Sequence, residues 1–185
     1  ENKLNKKKAK KIIPGGTHLL SKRPELFLPN IWPSYYSKAK DCYIWDLDNN
    51  KYTDMSFMSV GTNSLGYSNN AIDEKVVSAV KNGNMSTLNC PEEVELAEKL
   101  IELHPWGEMV RFARSGGEAN SIAVRIARAA SGRDKVAICG YHGWHDWYIS
   151  TTTLNKGIPK AVSDLSYSVP YNDLNAVEEL LNQHK

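Results

Sequence analysis

Apolar residues between positions 69 and 104 recur with the 3.6-residue period of amphipathic helices. In the first such stretch this spacing predicts a helix that Asn70 caps and Gly83 ends. A second helix is predicted from Pro91, since proline suits the first helical position, to Pro105, which cannot continue a helix. The two apolar faces carry Ile72, Val76 and Val80, then Val94, Ala97, Leu100 and Ile101.

The most regular helical pattern runs from about Gly117 to Gly132. Its apolar positions are Ala119, Ile122, Ala123, Ile126, Ala127 and Ala130. Short apolar runs predict strands at Met109–Ala113, Val136–Cys139 and Leu165–Val169, and a last helix is expected from Asn172 or Asp173. Because helices and strands alternate, the pattern predicts an α/β domain with a parallel sheet.

The first part of the chain has a different texture. A lysine-rich helix is broken at Pro14, an irregular stretch follows, and residues 42–54 read as an aromatic-rich hairpin around an Asp/Asn turn. We therefore predict an amino-terminal segment over residues 1–68 and the first part of a larger domain over residues 69–185. The chain breaks off within a helical pattern, so we expect it to be part of a longer polypeptide.

Composition narrows the class of protein. The chain has 185 residues, 41% hydrophobic and 24% charged, with a net charge of +2. These values exclude a disordered chain and leave room for a core, and no apolar run approaches the ~20 residues of a membrane span. Three scattered cysteines, Cys42, Cys90 and Cys139, suit a reducing cytosol, so a cytoplasmic protein is expected.

Charge is concentrated at the start of the chain, where residues 1–13 carry six lysines against one glutamate. No arginine or aromatic residue lies among these lysines. A solvated helix is therefore favoured over a nucleic-acid or membrane site.

The turn after the predicted strand at Met109–Ala113 is a candidate anion site. Ser115 and Glu118 have the spacing of a capping box, and Gly116 and Gly117 lie between them. Free amides at the positive end of a helix dipole, with no side chain in the way, could bind a phosphate. The alternative is a well-capped helix without a ligand. The spacing matches neither a Walker loop nor G-x-G-x-x-G.

A second candidate lies just after the strand at Val136–Cys139, at the same predicted sheet edge. His142, His145 and Asp146 suggest a metal site, but the sequence offers neither a convincing fourth ligand nor a second shell. Two other interpretations stay open. The aromatic residues could pack the loop onto the domain, or Tyr141 could present its ring to a planar ligand.

Together these motifs resemble the class III aminotransferases, and most closely their glutamate-1-semialdehyde aminomutase-like branch. The similarity covers nearly the whole chain. The motifs that carry it are Ser115–Ala119, Ser131–Lys135, a strand and Tyr141–Gly143, preceded by Pro14–Gly16, Trp45–Tyr52 and Asp54.

The resemblance implies a fold-type I enzyme that uses pyridoxal 5′-phosphate (PLP). The chain would be an amino-terminal segment of the small domain followed by an incomplete, mostly parallel sheet of the large domain. Ser115, Gly116 and Gly117 would hold the cofactor phosphate, and Tyr141, with His142 beside it, would stack on the cofactor ring. Gly117 stands where the family usually has a hydroxyl residue, so one side-chain hydrogen bond would be missing.

The resemblance also implies that the Schiff-base lysine lies beyond residue 185, because Lys156 and Lys160 come too early to match it. The chain alone is therefore expected to be inactive. Its parent would be a homodimeric transferase or isomerase acting on a small amino donor and acceptor. Two alternatives remain: a module that binds a phosphorylated ligand without chemistry, and a metal-dependent hydrolase using His142, His145 and Asp146.

Overall fold

The structure divides into two units, Glu1–Asn89 and Cys90–Lys185. It is a computed structural model and describes residues 1–56 and 58–184, so Lys185, the end of the last predicted helical pattern, lies outside the described residues. The boundary that the sequence suggests between residues 68 and 69 stays a prediction.

The amino-terminal unit holds a helix, an antiparallel sheet and a second helix. Short 3₁₀ turns link the first helix to the sheet, whose strand order is β1-β2-β3. The elements are α1 (Asn2–Ile12), β1 (Tyr36–Lys40), β2 (Tyr43–Asp46), β3 (Lys51–Thr53) and α2 (Asn70–Asn82). The predicted hairpin is confirmed as β2 and β3, in which Tyr43 pairs with Thr53. β1 was not predicted, because its sequence Tyr-Ser-Lys-Ala-Lys lacks the apolar alternation that marks a strand.

A nearly buried carboxylate organises the turn between β2 and β3. Asp46, only 3% exposed, accepts hydrogen bonds from the amides of Asp48 (2.8 Å) and Asn50 (2.9 Å) and from the hydroxyl of Tyr52 (3.0 Å). Burial raises the pKa of Asp46, but the hydrogen bonds from Asn50 and Tyr52 outweigh it and leave the pKa below its usual value. The ionised carboxylate therefore stabilises the turn.

This network predicts an acid-labile hairpin. Because the pKa of Asp46 is lower in the folded chain than in the unfolded chain, its stabilisation is present above the unfolded pKa of about 3.9 and is lost as the pH falls through the folded pKa. Asp46→Asn should lower the thermal midpoint at pH 7 and make it less sensitive to pH below about 4. Asp41→Asn is the control, since the Asp41 carboxylate accepts no hydrogen bond from any described residue. Equal effects of the two changes would contradict this role for Asp46.

The carboxy-terminal unit is α/β, and its two strands pair in parallel, with Val136 opposite Ser166 and Ile138 opposite Ser168. The predicted fold class is confirmed. The elements are α3 (Pro91–Leu103), α4 (Gly116–Ser131), β4 (Val136–Ile138), α5 (Asp146–Ile149), α6 (Lys160–Ser163), β5 (Ser166–Ser168) and α7 (Leu174–Gln183).

Two local predictions are corrected by the structure. Asn69, not Asn70, caps α2, because its side chain accepts from the amides of Ala71 and Ile72. The strand predicted at Met109–Ala113 is wrong. A strand needs a hydrogen-bonded neighbour, and no strand of the described residues pairs with this segment.

The apolar faces of the helices are largely uncovered within the described residues. The hydrophobic side chains that are buried there belong to Ala9, Ile138, Tyr148 and Val169. Neither α2 nor α3 has a buried residue, and Cys139, expected in a buried strand, is exposed. β5 is the one neighbour that β4 has among the described residues, so the other edge of β4 is unpaired there. No helix of the described residues is long and apolar enough to cross a membrane.

Candidate functional site

The start of α4 is built as a capped but open helix terminus. The hydroxyl oxygen of Ser115 accepts from the Glu118 amide at 3.3 Å, and the Glu118 carboxylate accepts from the Arg114 amide at 2.8 Å. In a standard capping box the Glu118 carboxylate would accept from the amide of Ser115, the N-cap residue. Here it accepts from the preceding residue. Ser115 thus fixes the first turn and keeps its own hydroxyl proton free of any acceptor among the described residues.

The amides of Gly116 and Gly117 occupy the first two helical positions, where no intrahelical acceptor exists. A Cβ on Gly116 would meet no atom within 4 Å, so an approaching group can reach the turn at Gly116 without obstruction. Two free amides, a serine hydroxyl and the positive end of a 16-residue helix form a donor set suited to a phosphate. The residues present therefore fit the phosphate group of PLP.

The loop after β4 is packed against this turn through glycine. A Cβ on Gly143 would lie 3.1 Å from the Cα of Gly117, and a Cβ on Gly117 would lie 3.2 Å from Nε2 of His145. Gly117 is buried by these contacts. The two sequence motifs that were singled out separately are thus brought together in space.

Tyr141 and His142 lie on the same loop in different environments. The Tyr141 side chain is 80% exposed and meets Tyr148 edge to face, with ring centroids 5.6 Å apart. Nε2 of His142 donates to the carbonyl of Cys139 at 2.7 Å, and the ring lies nearly parallel to that of Trp147. His142 is therefore anchored to its own loop, whereas Tyr141 leaves an aromatic face free.

Two polar residues of α4 that the sequence interpretation missed also hold this loop. The Asn120 amide donates to the carbonyl of His142 at 3.4 Å, and Ser121 Oγ lies 2.5 Å from Nδ1 of His145. Gly117, Asn120 and Ser121 are spaced i, i+3 and i+4, so they share one face of the helix. This spacing could have identified from the sequence the face of α4 that contacts the loop. The apolar positions of the same helix are more regular and dominated the interpretation.

The metal interpretation of this loop finds no support. Nε2 of His142 and Nδ1 of His145 are engaged by Cys139 and Ser121. No cluster of three or more His, Cys, Asp or Glu side chains placed to hold a metal ion occurs in residues 1–56 and 58–184.

The relatives found among known proteins are aminotransferases and aminomutases, and they match nearly the whole chain. The 3-aminobutyryl-CoA aminotransferase of Cloacimonas acidaminovorans is 35% identical over 96% of this chain and 42% of the relative. A glutamate-1-semialdehyde 2,1-aminomutase of Methanocaldococcus jannaschii is 34% identical over 96% of the chain and 43% of the relative. The chain therefore spans less than half the length of the curated relatives that it matches.

Solved structures of transaminases have the same fold as this chain. The FumI protein of Sphingopyxis sp. MTA144, solved in a PLP form, superposes with a TM-score of 0.88 and 27% identity over all of this chain and 44% of the other. The sequence pattern of the family described as aminotransferase class-III matches residues 29–185. This chain, with its capped glycine turn and its Tyr-His-Gly loop, belongs to the class III aminotransferases.

Proposed function

We propose that this chain is the amino-terminal part of a PLP-dependent aminotransferase or aminomutase, and that Ser115, Gly116 and Gly117 hold the cofactor phosphate. The observation that carries the proposal is the capped first turn of α4, where Gly116 is unobstructed and two helix-terminal amides lie beside a free hydroxyl. Membership of the class III family and PLP-containing relatives of the same fold support it. The match covers less than half of the relatives, so the remaining site residues are expected in the rest of the polypeptide.

The donor set matches the charge of a phosphate ester. The amides of Gly116 and Gly117 donate two hydrogen bonds, and Ser115 donates a third through its hydroxyl. These bonds to an anion are stronger than bonds between neutral groups, and the helix dipole adds to them. Ser115, Gly116 and Gly117 would thereby hold the cofactor by its phosphate and limit where its ring can lie.

We propose that Tyr141 stacks on the pyridine ring of the cofactor. Its ring meets that of Tyr148 edge to face, and the rest of the exposed ring can lie on a planar pyridine. His142 supports this placement, because its bond to the Cys139 carbonyl holds the loop on which Tyr141 lies. When bound, PLP supplies an electron sink for the bonds at the substrate Cα. This chain's part in that chemistry is to anchor and orient the cofactor.

The substrate is proposed to be a small amine with a keto or aldehyde partner, the class shared by aminotransferases and aminomutases. The motifs present in this chain are common to both reactions. We further propose a homodimer in the cytoplasm, where the three cysteines, all free, would stay reduced. The chain by itself should lack transaminase activity, because the family resemblance implies a Schiff-base lysine outside it.

A titration of the full-length apoprotein with PLP and with pyridoxal, which has the same ring and aldehyde without the phosphate, tests the proposed function. PLP should bind at least about tenfold more tightly, since only PLP can use the donors of the turn. Equal affinity for the two ligands, or binding of neither, would contradict the proposal.

Replacing Tyr141 separates stacking on the cofactor from packing within the protein. Tyr141→Ala should weaken PLP binding about tenfold, the effect of losing ~1.4 kcal/mol of stacking, whereas Tyr141→Phe should bind PLP as the parent does. Because the side chain is 80% exposed, Tyr141→Ala should change the unfolding midpoint little. Exposed Tyr171→Ala is the matched control. A Tyr141→Ala protein with lowered stability and unchanged affinity would remove Tyr141 from the site.

A further inference from the structure

His145 lies beside the proposed phosphate site, although it is not one of the three residues proposed above to hold the phosphate. Its Nε2 atom is 3.2 Å from the point where a side chain on Gly117 would begin, beside the first turn of α4. No hydrogen bond to Nε2 is formed by residues 1–56 or 58–184. The absence of a side chain on Gly117 is what makes room for the imidazole.

The imidazole is oriented by a chain of hydrogen bonds. The indole Nε1–H of Trp147 donates to Ser121 Oγ at 2.9 Å, and Ser121 Oγ lies 2.5 Å from Nδ1 of His145. An indole N–H can only donate, so Ser121 accepts from Trp147 and has its own proton to give. This proton is available to Nδ1 of His145, which can accept it.

Donation in this direction corresponds to one of the two neutral tautomers of His145. With Nδ1 acting as an acceptor, the ring proton of the neutral imidazole is on Nε2. The N–H that results lies on the side of the ring next to Gly117. The Trp144 ring and the imidazole meet edge to face, with centroids 4.9 Å apart, and this contact helps to hold the imidazole plane.

We propose that Nε2–H of His145 is a further donor to the cofactor phosphate, and that Ser121 and Trp147 are the residues that position it. The inference rests on the proposed function, because it needs a phosphate at Ser115–Gly117. His145 would then supply a side-chain hydrogen bond beside Gly117, a residue that has no side chain to offer. The aromatic and serine contacts keep the imidazole in place before the ligand arrives, so little side-chain entropy is lost on binding.

The test compares PLP with pyridoxal in the full-length protein. His145→Ala should weaken PLP binding about tenfold and change pyridoxal binding less than about twofold, because the lost bond involves the phosphate alone. His145→Gln, whose amide can also donate, should recover part of the affinity for PLP. Ser121→Ala should weaken PLP binding selectively and by less, since it loosens His145 without removing it. His104→Ala, on an exposed histidine at the end of α3, is the control.

The outcomes distinguish this inference from the proposed function. If the parent prefers PLP and His145→Ala keeps the full preference, the inference about His145 is wrong and the phosphate site stands. If His145→Ala weakens both ligands equally, His145 supports the fold rather than the phosphate, which also overturns the inference. If the parent itself shows no preference for PLP, the proposed function fails. Unfolding midpoints of all variants show whether each one is folded at the titration temperature.

Discussion

Gly116→Val should weaken PLP binding by the full-length protein about a hundredfold and leave its stability nearly unchanged. Gly116 is the first residue of α4, and a Cβ there would meet no protein atom within 4 Å. Two further methyl groups would fill the space through which a phosphate reaches the amides of Gly116 and Gly117. Losing these charge-assisted bonds accounts for ~2.7 kcal/mol, which is the hundredfold effect.

The change should not harm the fold, because valine is a better helix former than glycine and Gly116 does not have a positive φ. Gly107→Val is the matched control. Gly107 also lacks a positive φ, and its Cβ would lie 3.4 Å from the carbonyl oxygen of His104, in ordinary contact. Titration with PLP and thermal unfolding of both variants are the measurements. A Gly116→Val protein that binds PLP as tightly as the Gly107→Val protein would place the phosphate elsewhere.

Gly143→Ala should destabilise the carboxy-terminal unit by about 3 kcal/mol. Two costs combine at this position. Its φ of 102° lies in the region that L side chains rarely adopt, and the new Cβ would lie 3.1 Å from the Cα of Gly117. Since the obstacle is backbone rather than a flexible side chain, the loop must move away from α4. The bonds from Asn120 to His142 and from Ser121 to His145 would then lengthen.

Gly140→Ala separates the two costs. Gly140 has a φ of 83° on the same loop, but a Cβ there would meet no atom within 4 Å. The control should therefore lose only the ~1 kcal/mol of backbone strain. Denaturant unfolding of the two variants measures the difference. Equal destabilisation would mean that the close approach of Gly143 to Gly117 contributes nothing to stability.

Local chemistry made parts of the fold predictable. Pro91 and Gly132 mark helix ends through backbone properties that need no distant partner, and α3 and α4 begin and end close to the predicted residues. The turn at Ser115 was predictable for the same reason, because the serine, the glycines and the glutamate that shape it are adjacent in sequence.

Features that depend on distant partners were not predictable in this way. A strand at 109–113 requires a neighbour, and no described strand provides one. The apolar stripe of α4 predicts a buried face, but Ile126 is exposed because no described element covers it. From the sequence, His145 was a candidate metal ligand. Nothing in the sequence indicates that Ser121, 24 residues earlier, forms a hydrogen bond with its Nδ1.

The most direct test of the central claim is the experimental structure of the full-length protein with PLP bound. The claim is that the first turn of α4 holds the cofactor phosphate. We expect phosphate oxygens within hydrogen-bonding distance, ~2.7–3.2 Å, of the amide nitrogens of Gly116 and Gly117 and of Ser115 Oγ. A bound cofactor whose phosphate contacts none of these three residues would show that the first turn of α4 is not the phosphate site.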